Sequence, residues 1–142
     1  MLRSTHTFGT GEKVILSVED DDTTHHLMEI AFEEVGGDFR LYRVKDGEQA
    51  LAFIRRSNGY VDAPPIDLVL LNLNLPKVSG LEVLRTMHED HLIEEVPAVV
   101  FSSSELDEEK ARCMALGARA FITKPMDLNE FIRAVSHACS FV

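Results

Sequence analysis

Four short stretches of this chain gather residue types that do chemistry. The acids Glu19, Asp20, Asp21 and Asp22 stand together directly after the apolar run KVILSV. Asn72 and Asn74, with Pro76 and Lys77 behind them, follow a second apolar run that ends at Leu71. Ser102, Ser103 and Ser104 close a third, PAVVFS, and Lys124 with Pro125 follows a fourth, AFIT. Two adjacent acids leaving a buried strand repel each other unless a cation lies beside them, and oxygen ligands at a partly hydrated site suit Mg²⁺. Each group has a plainer use when taken singly. Asp21 and Asp22 can cap a helix, which is the role expected of Asp22. The serines can form a capping loop, and Lys124 can be a solvated turn lysine. Taken jointly, at the ends of the first, third, fourth and fifth strands, they imply one site holding carboxylates, an amide, a hydroxyl and an ammonium.

The elements that must position this site are legible in the hydrophobic period. Residues 13–18 form a short apolar run, and Met28, Ala31, Phe32 and Val35 then recur at helical spacing until Gly36 and Gly37 stop them. FRLYRV (39–44) alternates as a strand, 46–57 reads as a helix, and 66–71 is a strand that is apolar apart from Asp67. A helix over 80–90, a strand over 97–102, a helix over 105–116 closed by Gly117, a strand over 120–123 and a last helix over 128–138 complete the alternation. Strands that read as continuous Val/Ile/Leu runs are buried on both faces, as in a parallel sheet. Right-handed crossovers then place helices on both sides. The expected fold is a doubly wound α/β domain with five parallel strands and five helices, residues 1–12 forming a loose leader and 13–142 the domain. In such sheets ligands bind beyond the carboxyl ends of the strands, where the strand order reverses.

Composition narrows the function classes. The 142 residues are 45% hydrophobic and 27% charged, enough to bury a core and too apolar for a disordered tail. Lys+Arg minus Asp+Glu is 14 − 24 = −10, and no basic patch relieves it, so nucleic acid and anionic membrane are not expected partners. No run approaches the roughly 18 apolar residues of a membrane span and no signal peptide is evident, so a soluble, cytoplasmic protein is expected. Cys113 and Cys139 lack metal or redox spacing and read as buried thiols. Gly9 and Gly11 precede a strand, whereas a dinucleotide-binding loop follows one. His88 and His91 lie at i, i+3 without an evident third ligand, and His25 and His26 sit in the first helix without a phosphotransfer context; none is given a role.

The set ILSVEDD, LLNLNLPKVSG, VVFSS and AFITKP resembles the receiver domain of bacterial two-component response regulators over residues 13–140. The wording LNLPKVSGLEVL and the long segment before residue 66 are similar to single-domain regulators that partner phytochrome-type histidine kinases. The resemblance implies that Glu19 and Asp20 hold Mg²⁺ and that the backbone carbonyl of Asn74 completes the metal shell. It implies that Ser102 is the switch hydroxyl, Phe121 the aromatic switch, and Lys124 the partner of phosphoryl oxygens, with Pro125 after it in cis.

One position departs from the pattern. The family's phospho-accepting aspartate falls at Asn72. A carboxylate can attack a phosphohistidine phosphorus, whereas an amide is a poor nucleophile with no anion to offer. Asn is nearly isosteric with Asp, so the fold should survive while phosphotransfer and strong Mg²⁺ binding are lost. A natural pseudo-receiver and an introduced substitution both fit; the otherwise intact machinery is what a recent change would leave.

The resemblance therefore implies a stand-alone, non-enzymatic signalling module in a phosphorelay, binding a histidine kinase with its acceptor disabled. Homodimerisation is a further expectation, through the fourth helix or through Phe131, Ile132, Val135, Cys139 and Phe141 of the last one. The competing class is a flavodoxin-like cofactor binder of similar topology. A flavin phosphate needs a hydroxyl-rich, electroneutral loop after the first strand, and four acids stand there instead.

Overall fold

The computed structural model describes residues 6–8 and 13–142. Along the chain run β1 (His6–Phe8), β2 (Lys13–Val18), α1 (Asp22–Val35), β3 (Phe39–Val44), α2 (Gly47–Arg55) and β4 (Leu68–Leu71). There follow α3 (Gly80–Glu89), a single 3₁₀ turn at Leu92–Glu94, β5 (Ala98–Ser102), α4 (Asp107–Ala115), β6 (Ala120–Thr123) and α5 (Leu128–Cys139). The strands form one sheet in the order β1-β3-β2-β4-β5-β6. The five strands β2 to β6 are parallel, and five helices cross between and after them.

The apolar runs are explained by where their side chains go. Along β2, Ile15 faces one helical layer with Met28 and Phe32 of α1 and Phe131 and Val135 of α5. Its neighbours Leu16 and Val18 face the other layer, with Phe53 of α2 and Val83, Leu84 and Met87 of α3. β4 divides likewise, Leu68 and Leu70 to the first face and Val69 and Leu71 to the second. A strand buried on both faces leaves little room for polar residues until it leaves the sheet, and β2 admits only the small Ser17 among its buried positions. That is why the chemistry-bearing residues begin abruptly at Glu19 and Asn72.

The structure differs from the sequence reading in several places. His6–Phe8, expected within a loose leader, pairs antiparallel with β3 in the register His6↔Leu41, Thr7↔Arg40, Phe8↔Phe39, giving the sheet a sixth strand. Three residues are too few to show a period, so only pairing defines them. Gly9, Gly11 and the rest of the leader lie outside the described residues. The cap of α1 is Asp21, not Asp22: its carboxylate accepts from the Thr24 amide at 2.9 Å and from the Thr24 hydroxyl at 2.7 Å. Asp22 instead pairs with Arg43 at 2.8 Å. Asp67, the polar exception before β4, accepts from the Val14 amide at 2.8 Å and so extends the ladder between β2 and β4.

α5 offers less free apolar surface than its sequence suggests. Phe131, Val135 and Ala138 are buried, and Ile132, Cys139 and Phe141 are half-buried against the same cluster. Burial pushes the Cys139 thiol up to about 12, and it raises that of Cys113 as well, in keeping with packing roles. Among the described residues no helix is long and apolar enough to cross a membrane.

Candidate functional site

The strand order reverses on either side of β2, which lies between β3 and β4. The crevice therefore opens beyond the carboxyl ends of β2 and β4, where Glu19, Asp20 and Asn72 emerge. Parallel register fixes their relation: Val18 lies opposite Leu71, so the residues following each strand come out side by side. The Asn72 amide also donates from the backbone to the Val18 carbonyl at 3.2 Å, which ties the two exits together.

Asn72 sits at the centre of this crevice, 7% exposed. Its side-chain Nδ2 lies 3.0 Å from Glu19 Oε2, 3.1 Å from the Asn74 carbonyl and 3.5 Å from Asp20 Oδ1. Its Oδ1 accepts from the Asn74 backbone N–H at 3.3 Å. One NH₂ group thus lies among the three oxygens that the resemblance gives to a metal. Glu19, itself 3% exposed, receives a second neutralising partner in the Lys124 ammonium, 2.7 Å from Oε1. Glu19 Oε2 also accepts from the Asp21 backbone N–H at 3.2 Å. The repulsion expected of the acid pair is relieved from within the chain, by an amide and a lysine that lie 53 and 105 residues away from Glu19.

Sequence reasoning missed Arg43. Its Nε donates to the Glu19 carbonyl at 2.9 Å while its Nη1 pairs with Asp22, so one guanidinium straps β3 to the acidic turn. That ion pair holds the Asp22 carboxyl below its ordinary value, and the Thr24 hydrogen bonds do the same for Asp21. The signal that could have found Arg43 is register: it pairs with Ser17, two residues before Glu19. Beside it, His25 is buried, and neither ring nitrogen has a hydrogen bond; Arg43 Nη2 is likewise without one. Burial, followed by the nearby Arg43 charge, pushes the His25 pKa down.

Gly80 brings the site loop back onto itself. A Cβ there would lie 2.1 Å from the Asn72 carbonyl oxygen and 2.6 Å from Leu73 Cα, so α3 can begin this close to the crevice only without a side chain. Its amide donates to the Leu73 carbonyl at 2.9 Å. Ser79 then caps α3, with its hydroxyl accepting from the Glu82 amide at 3.2 Å.

The remaining expected residues are grouped less tightly. Ser102 is fully buried, and its Oγ accepts from the Ser104 amide at 3.1 Å; no hydrogen bond links that hydroxyl to Asn72 or to the Lys124 ammonium. Ser102 joins Lys124 through the backbone, the Lys124 N–H donating to its carbonyl at 2.7 Å. Phe121 lies on β6, half-buried, lining a cleft against Glu105, Leu106, Asp107 and Lys110. The Lys124–Pro125 peptide, implied as cis by the resemblance, is trans, the isomer that X–Pro bonds favour by about 0.5–1 kcal/mol.

As a cation site the crevice offers two carboxylates and one backbone carbonyl, the oxygen donors that Mg²⁺ prefers. Among the described residues there is no cluster of three or more His, Cys, Asp or Glu side chains able to hold a metal. An aspartate in place of Asn72 would supply the third carboxylate. These oxygens fit a divalent ion, which would have to displace the Asn72 NH₂ from among them.

The fold and sequence have known counterparts. The family model for the response regulator receiver domain matches residues 15–136. Response regulator Rcp1 of Synechocystis sp. is 31% identical over 129 residues, covering 91% of this chain and 88% of that protein. The crystal structure of the Mn²⁺-bound form of Rcp1 superposes with a TM-score of 0.83 at 31% identity, covering 91% of this chain and 93% of that one. The phosphorylated cyanobacterial phytochrome response regulator RcpA also gives 0.83, at 32% identity, covering 91% and 92%. A fold with its crevice at this strand reversal, matched by the family model over most of its length, leaves one conclusion: the chain belongs to the response regulator receiver domain family.

Proposed function

We propose that this chain is a receiver that docks on a histidine kinase of the phytochrome type and takes no phosphoryl group, because Asn72 stands at the acceptor position. The observation that carries the reading is the placement of the Asn72 side chain amid Glu19, Asp20, Asn74 and, through Glu19, Lys124. An acceptor must present an unshared electron pair on an anionic oxygen to the incoming phosphorus. At Asn72 the side chain presents N–H donors to the acids, and its oxygen is occupied by the Asn74 amide.

Within this reading each neighbour keeps a defined task. Glu19, Asp20 and the Asn74 carbonyl would hold Mg²⁺, which would supply positive charge to phosphoryl oxygens as well as to the acids. Lys124 would release Glu19 and turn toward a phosphoryl oxygen in an acceptor-competent form. Ser102 and Phe121 would move together as the switch between two conformations. With Asn72 present, the amide and Lys124 already satisfy the acids, so Mg²⁺ binds weakly and the resting arrangement is locked. A kinase that docks here retains its phosphoryl group, and the complex acts by occupancy.

The test uses acetyl phosphate and, separately, beryllofluoride, applied to this chain and to its Asn72→Asp variant with Mg²⁺ present. Intact mass and spectral change are expected to report an adduct in the variant only. A phosphoryl adduct on the Asn72 chain that maps to residue 72 would overturn the reading.

A further inference from the structure

Beside the loop between β4 and α3, which contributes Lys77 to it, lies a cleft of about 250 Å³ with a different chemistry. α2 supplies Glu48, Gln49 and Ala52, with its capping residue Asp46; the turn before β4 supplies Asn58 and Tyr60, and the site loop supplies Lys77. We propose that this cleft takes a guanidinium group, that of an arginine presented by a protein partner.

The side chain of Asp46 is only 9% exposed. Its Oδ1 caps α2 by accepting from the Gln49 amide at 2.8 Å. Its Oδ2 has the Lys77 ammonium at 3.7 Å, beyond hydrogen-bond length, and Lys77 is 63% exposed. A buried carboxylate is thus left with one oxygen short of a direct donor, next to a cation free to swing into solvent. Among the described residues the Glu48 carboxylate, the Asn58 amide and the Tyr60 hydroxyl make no hydrogen bond within the protein. The lining therefore holds two carboxylates against one ammonium, with the Asn58 side-chain amide beside them, whereas the Gln49 side-chain oxygen already accepts from the Lys45 N–H at 3.1 Å.

A guanidinium answers this set better than other groups. It brings five donors and no acceptor in one plane, and it forms forked pairs with carboxylates. The half-buried Tyr60 ring, held by Phe53 at a centroid distance of 5.3 Å, supplies a face on which such a plane stacks. An anion would meet Asp46 and Glu48, and an apolar group would strand their charges. A free amino acid carries a carboxylate of its own beside Glu48, which favours an arginine within a polypeptide. The start of α2 rests directly on the site loop: a Cβ on Gly47 would lie 2.0 Å from the Val78 carbonyl oxygen.

The test is a nitrogen–proton correlation NMR titration of the full chain with N-acetyl-L-arginine amide, with N-acetyl-L-lysine amide and free L-arginine as parallel arms. Saturable shifts are expected at the amides of Gln49, Asn58, Tyr60 and Lys77, with the capped arginine binding several-fold better than either comparison ligand. Glu48→Gln should weaken binding by up to about fivefold. Ala52→Leu, which fills the cleft from a helix position that tolerates leucine, should abolish it; a thermal melt and an otherwise unchanged spectrum check its fold. Shifts that fail to saturate, or that persist in both variants, overturn the site. Equal binding of the lysine probe overturns the guanidinium assignment, and tighter binding of free arginine overturns the protein partner.

Discussion

Replacing Asn72 with aspartate exchanges a donor for a charge at the most crowded point of the crevice. The Asn72 Nδ2 is 3.0 Å from a Glu19 oxygen that is almost wholly buried. A carboxylate oxygen at that place would repel Glu19 by about 5.5 kcal/mol at an effective dielectric near 20, before any relaxation. Asp20 adds less, because it is exposed and its field is screened. Attraction to Lys124 and rotation of the two acids away from contact offset a large part of this repulsion. The amide's bonds to Glu19 and the Asn74 carbonyl are also lost. A net destabilisation of about 2–3 kcal/mol without metal follows from these terms. For a chain of this size, at roughly 3 °C per kcal/mol, the melting temperature falls by roughly 6–9 °C.

Magnesium should reverse the order of the two proteins' responses. In the variant a divalent ion binds three carboxylates that otherwise repel one another, and binding to the folded state alone raises stability with ligand concentration. In the parent the ion must displace an amide that already satisfies the acids. Differential scanning fluorimetry of both proteins, with EDTA and with increasing MgCl₂, reads both effects. The variant should melt lower in EDTA and gain more from magnesium. Equal melting temperatures in EDTA, together with equal gains, would show that residue 72 does not share charge with Glu19, and the account of the crevice would fail.

Other perturbations test its supports. Lys124→Met leaves the buried Glu19 carboxylate without its cation and should cost about 3 kcal/mol in urea unfolding; most of that loss should vanish in a Glu19→Gln background, because the two residues form one unit. Gly80→Ala drives a methyl into the Asn72 and Leu73 backbone and should cost up to about 3 kcal/mol, with weakened Mg²⁺ response in an Asn72→Asp background as the sign that the loop has moved. His25 has a pKa lowered chiefly by burial, so the folded state binds fewer protons than the unfolded one near pH 6. Its contribution to stability is fully present above the unfolded value of about 6.5 and is lost as pH falls from there toward the lowered folded value. Melts between neutral and mildly acidic pH should show that loss, and His25→Leu should flatten it.

The fold was legible because central strands buried on both faces, β4 and β5 above all, read as apolar runs, while β2, β3 and β6 begin and end where their residue patterns do. Helix ends were less so. A run of acids such as Asp20, Asp21 and Asp22 offers several equivalent caps, and only the position of Thr24 selects Asp21. The positions around the crevice could be named from the ends of strands, yet their partnerships could not. Adjacent acids in a sequence imply a missing cation; the Glu19 carboxylate finds Lys124, brought by β6, while Arg43, brought by β3, holds the Glu19 backbone carbonyl and pairs with Asp22. Both reach Glu19 through sheet register, an order that composition and local period do not carry. Asn72 sharpens the point. In the sequence it is the subtraction of a nucleophile, whereas in the folded chain it is the addition of a donor that the acids use. On the function proposed above, an asparagine at this position does more than silence a site: it supplies the crevice with an internal stand-in for the ion that an aspartate would require.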